Sequence, residues 1–112
     1  VADFSIKAHD TMPAISATLS TAGGTPVDLT NATGVKFIMA TAPGGAIKVA
    51  AAATINTPKT LGQVTYQWVA TDTATPGTYQ AEWEVTWTGG GVQTFPTLSY
   101  HTVAVVADLE NA

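Results

Sequence analysis

Between residues 79 and 87 the chain alternates without a fault: Tyr79, Ala81, Trp83, Val85 and Trp87 interleave with Gln80, Glu82, Glu84 and Thr86. Period two puts all five apolar side chains on one side of a strand, whereas a helix would scatter them around its circumference. A strand with two tryptophans and a tyrosine on one face has to be covered. The rest of the chain must therefore supply an opposing apolar layer.

The flanking segments fit that demand. Phe4-Ser5-Ile6-Lys7 predicts a short first strand, and Ile15, Ala17 and Leu19 share one face of a second. Ala22-Gly23-Gly24-Thr25-Pro26 ends it as a turn. Val35, Phe37 and Met39 define the inner face of a third strand, and Pro43-Gly44-Gly45 predicts a hairpin into residues 46–54. The alanine-rich stretch 49–53 has helix propensity but lacks the large residues of an amphipathic helix, so it reads as strand. Gly62 opens a segment with Val64, Tyr66 and Trp68 on one side and Thr65 and Gln67 on the other. After the turn Gly89-Gly90-Gly91, residues 92–95 return, Pro96 interrupts, and residues 100–106 form the last strand. The expectation is seven to eight strands, no helix, and one domain spanning 1–112, as a sandwich or small barrel. Residues 28–34 are the longest weakly patterned piece, too short to divide domains.

Composition narrows the function. The apolar fraction of 46% supports an ordinary core, and with no cysteine neither a disulfide nor a thiolate metal site can form. The formal charge is −4, and the only cations are Lys7, Lys36, Lys48 and Lys59, with no arginine. That argues against binding nucleic acid, which needs clustered cations and leans on arginine for base readout. No apolar run approaches the ~20 residues of a membrane span. The opening Val1-Ala2-Asp3-Phe4 has neither the basic nor the apolar region of a signal peptide, so synthesis in the cytoplasm is the expectation. Only 11% of residues are charged, and 20 threonines supply much of the polar surface. Such a surface costs little to desolvate against another protein.

Chemistry-bearing groups are few. Glu82 and Glu84 share a strand face, an arrangement that serves acid–base or glycosidic chemistry when opposed by a second group. Alone on the polar side of a strand, they read as a solvated or contact-forming face. His9, Asp10 and His101 would have to be brought together by folding to hold a metal, and no His-x-His spacing supports this. No serine lies in a nucleophile elbow, and neither glycine pair is followed by a phosphate-loop lysine. The expectation is a non-enzymatic protein with no catalytic residue, metal or cofactor. Trp68 and Trp83, in phase with their strands, read as core. Trp87, beside the glycine turn, and Tyr100 are candidate contacts, together forming a sugar platform under an alternative carbohydrate-binding or adhesive reading. Asn31-Ala32-Thr33 matches a glycosylation sequon, which matters only for an exported eukaryotic protein.

Two resemblances refine the expectation. Gly77-Thr78-Tyr79-Gln80-Ala81, following Asp72, resembles the immunoglobulin tyrosine corner, in which the tyrosine ring enters the core and its hydroxyl bonds nearby backbone. This implies an immunoglobulin-like antiparallel β-sandwich, with Gly77 and Tyr79 as structural residues. Over nearly the whole chain, the order and spacing of several segments resemble the N-terminal domain of phage baseplate upper proteins and related tail and head-fibre proteins. They are Phe4-Ser5-Ile6, Asp10-Thr11-Met12-Pro13-Ala14-Ile15, Gly24-Thr25-Pro26-Val27-Asp28-Leu29-Thr30 and Val35-Lys36-Phe37-Ile38-Met39. The pattern continues through Gly62-Gln63-Val64-Thr65-Tyr66-Gln67-Trp68, Pro76-Gly77-Thr78-Tyr79-Gln80-Ala81-Glu82-Trp83, Thr94-Phe95-Pro96 and Val103-Ala104-Val105.

The resemblance implies a virion component that binds other phage virion proteins, major capsid or tail proteins, with homo-oligomeric contacts in the assembled particle. With the chain ending at Ala112, a stand-alone head decoration or tail-surface protein is expected, and a baseplate or fibre docking adaptor is the alternative. Val1, Phe4 and Ile6 are further candidate contacts, on an N-terminal docking arm over residues 1–7 whose apolar side chains need a partner.

Overall fold

The computed structural model describes residues 3–21, 23–96 and 100–109. Val1, and with it the start of the expected arm, lies outside them. Eight strands form in chain order: β1 (Phe4–Lys7), β2 (Ile15–Thr18), β3 (Ala32–Ala40), β4 (Ile47–Ile55), β5 (Gln63–Tyr66), β6 (Gly77–Trp87), β7 (Val92–Phe95) and β8 (His101–Val106). Two single turns of 3-10 helix, Lys59–Leu61 and Ala70–Thr73, lie before β5 and β6. No helix among the described residues is long and apolar enough to cross a membrane.

The strands join edge to edge in the order β1-β8-β6-β3-β4-β5-β2, and β7 branches from β6. The product is an all-β, mixed sheet of eight strands that curls into a nearly closed barrel. This corrects the expectation of a purely antiparallel sandwich in two respects. First, β1 runs parallel to β8, with Phe4 opposite Val103 and Lys7 opposite Val106. Second, two separate layers are not clearly resolved, because β4 joins the two parts of the path. It pairs with β3 from Ile47 to Ala53 and with β5 through Thr54 and Ile55.

The core follows from the alternation. Tyr79, Ala81, Trp83 and Val85 of β6 point inward, as do Val35, Phe37 and Met39 of β3. Phe37 is the hub: its ring centroid lies 4.9 Å from Tyr66, 4.8 Å from Trp83 and 5.5 Å from Trp68. Trp68 meets Phe37 edge-on, the geometry favoured by the ring quadrupoles. Trp68 and Trp83 are fully enclosed, as their phase requires. The alanine-rich 49–53 is strand, and the glycine turn closes with Trp87 N–H donating to Gly91 O at 2.7 Å.

The third strand begins at Ala32, earlier than its clean alternation indicates, with a register shift between Ala32 and Gly34. Just upstream, the Asp28 carboxylate accepts both the hydroxyl and the backbone N–H of Thr30. These two bonds lower the Asp28 pKa below its ordinary value and shape the turn into β3.

Candidate protein-contact surface

The N-terminal strand is committed to this chain's own core. Ile6 is buried, and Phe4 is half-buried with its ring 5.8 Å from Trp68. The apolar partner these residues require is therefore β8 and the aromatic core. The expectation that Phe4 and Ile6 project from a free arm toward another protein is corrected for residues 4–7.

Tyr79 is buried, and its hydroxyl donates to the Thr75 carbonyl at 2.6 Å, back toward the preceding turn. A Cβ on Gly77 would lie 3.7 Å from the Tyr79 ring, so the glycine sits directly against it. Asp72 does not reach this corner. Its buried carboxylate accepts the Tyr66 hydroxyl and the Val69 N–H.

The other candidates disperse. Trp87 shares the inward phase of β6 and packs partly against the core at the end of the strand paired with Ala32. Tyr100 is 43% exposed and precedes His101, which pairs with Ala81. Six residues of β6 separate those ends, about 20 Å of strand, and the two rings address different faces. They form no common platform. His9 and Asp10 lie in the exposed turn after β1, whereas Glu82 and Glu84 lie on the outer face of β6. Among the described residues, no three His, Cys, Asp or Glu side chains are grouped to hold a metal.

Asp3, Ser16 and His101 line a small cleft of about 60 Å³ between β1 and β2. Burial lowers the His101 pKa, partly opposed by the Asp3 charge. The Ser16 hydroxyl bonds to that of Thr65 at 2.9 Å, and the Asp3 carboxylate accepts Thr102 N–H at 2.9 Å. Neither of these bonds runs to the imidazole.

A further groove lies on the outer face of β3, β4 and β6. Here Ile38, Ala40, Ile47, Gln80, Glu82 and Tyr100, with the turn 42–45, line a groove of about 280 Å³. Strand phase explains most of it. Ile38 and Ala40 fall out of step with Phe37 and Met39, opposite Glu82 and Gln80. Ile47 arrives by another route: a register shift between Met39 and Ala40 sets it opposite Ala40, re-aiming it to the outer face as bulges do. It is 66% exposed.

Glu82 sits at a fork, since β8 pairs with β6 from Gly77 to Ala81 and β7 pairs from Trp83 to Thr86. Lys36 lies opposite Glu84, at 3.6 Å, and leaves Glu82 facing Ile38. Of the groove residues, Tyr100 and Glu82 were noticed in the sequence. Ile38, Gln80 and Ile47 were missed, and only Ile38, an isoleucine on the polar phase, carried a sequence signal.

No protein-family model, curated protein or solved structure matches this chain.

Proposed function

We propose that the protein is a non-enzymatic structural component of a tailed bacteriophage virion, folded as an immunoglobulin-like domain that binds other virion proteins through its outer sheet face. The observation that carries this reading is the face formed by β4, β3, β6 and β8. It combines exposed Ile47, Ala50 and Ala52 with the groove and only a few charges. A surface of small and apolar groups is cheaply desolvated and suits repeated protein contact better than solvation.

Two features support the immunoglobulin-like reading of the fold. The first strand crosses to pair in parallel with the last, and Tyr79 forms a corner with the Thr75 carbonyl. The virion reading rests on the resemblance to baseplate upper and fibre proteins, whose segments fall on β1, β3, β5, β6 and β8 of this chain. A head-decoration or tail-surface location fits a face of this kind, with copies meeting one another on the assembled particle.

Particles assembled without this chain provide the test. Purified protein added to them is expected to co-sediment and to be displaced by unlabelled protein. Substituting Ala50 and Ala52 together with glutamate is expected to reduce co-sedimentation at least tenfold. Protein that stays in the supernatant would count against the reading.

A further inference from the structure

We propose that the groove on the outer face receives a basic side chain, lysine or arginine, presented by a partner protein. Three properties of the groove lead there. Its floor and one wall are aliphatic, from Ile38, Ala40 and Ile47, which suits the methylene stem of a long basic side chain. Its polar groups include two acceptors with no answering donor. The Glu82 carboxylate has no ion pair among the described residues, and Gln80 Oε1 is buried with no hydrogen-bond partner. Tyr100 supplies an aromatic wall, and a cation over such a ring gains further attraction.

The contrast with Glu84 isolates the cause. Two residues along the same face, Glu84 is answered by Lys36. Glu82 lies opposite Ile38 and at the fork between β7 and β8, where no described residue of either strand is paired with it. Among the described residues, no lysine, arginine or histidine lines the groove. A purely apolar occupant would desolvate the Glu82 carboxylate without replacing its hydrogen bonds, and an anionic one would meet that carboxylate. A cation on an aliphatic stem satisfies both halves. The net charge of −4 adds attraction over longer range.

The inference concerns the chemistry of one groove and holds whether or not the partner belongs to a virion. Loss of particle co-sedimentation with retained lysine binding would remove the functional reading and leave this one.

The test uses the full chain, isotopically labelled, titrated with N-acetyl-lysine methylamide and N-acetyl-arginine methylamide. The norleucine analogue serves as the uncharged control. Saturable amide shifts confined to residues 38–47, 80–82 and 100 are expected with at least one cationic probe and not with norleucine. Glu82→Gln is expected to weaken binding at least tenfold, while Glu84→Gln leaves it within twofold. The amide spectrum of each variant reports that the fold is retained. Equal shifts with norleucine, unchanged affinity in Glu82→Gln, or no saturable shift with either cationic probe would overturn the proposal.

Discussion

The Tyr66 hydroxyl donates to Oδ2 of Asp72 at 2.6 Å, and the same carboxylate oxygen accepts the Val69 N–H at 2.9 Å. One buried carboxylate thus ties the end of β5 to the 3-10 turn leading into β6. Removing it leaves a buried hydroxyl and a backbone N–H without their acceptor, a mechanism that costs more than one ordinary hydrogen bond. Asp72→Ala is expected to destabilise the fold by about 3 kcal/mol, and Tyr66→Phe by about 1–2 kcal/mol. Urea unfolding of both variants and the double variant checks this. The double variant should cost less than the sum, because the two residues share one bond.

Stability should fall off at both ends of the pH scale. Burial, then the hydrogen bond to Asp72 and its charge, raise the Tyr66 pKa well above its ordinary value of 10.0. The unfolded chain therefore loses this proton first, so stability is full below about pH 9 and declines above about pH 10. His101 has the opposite sign. Burial depresses its pKa below 6.5, so the unfolded chain gains the proton first and stability is lost as pH falls below about 6.5. Unfolding midpoints should plateau between about pH 7 and 9. Tyr66→Phe should flatten the alkaline limb, and His101→Gln should reduce the slope of the acid one.

Gly62 has a positive φ of 68°, and a Cβ there would lie 2.7 Å from the Val27 carbonyl oxygen and 2.8 Å from that of Leu19. Backbone cannot yield as a side-chain tip can. Gly62→Ala is expected to cost about 2–3 kcal/mol, read as a lowered thermal midpoint with an unchanged circular dichroism spectrum.

The Lys36–Glu84 pair should matter little by comparison. Both side chains are substantially solvated, at 46% and 31% exposure. Lys36→Met is expected to change stability by less than about 1 kcal/mol. A larger loss in urea unfolding would mean that this face is more rigid than its exposure implies.

The legible parts of the fold are those set by local alternation. Tyr79 to Trp87, Val35 to Met39 and Val64 to Trp68 each declared their inner face, because period two survives whatever strand lies alongside. Partner choice did not show. Nothing in Phe4-Ser5-Ile6-Lys7 indicates that it pairs in parallel with β8, since long-range pairing leaves no trace in a short strand's own composition. The same limit hid the double service of β4. At the groove, Ile38 was readable as an apolar residue on the wrong phase. Ile47 was not, because its direction depends on a register shift that only the paired strands define. Asp72 was noticed for the tyrosine corner, yet its partner proved to be Tyr66.

The central claim is that this domain is a structural part of a phage particle. Quantitative mass spectrometry of purified particles encoding the chain, scaled to the major capsid protein, tests it most directly. The account predicts stoichiometric incorporation, with hundreds of copies for head decoration or a tail surface and about a dozen for a baseplate or neck. Absence of the chain from washed, intact particles would contradict it.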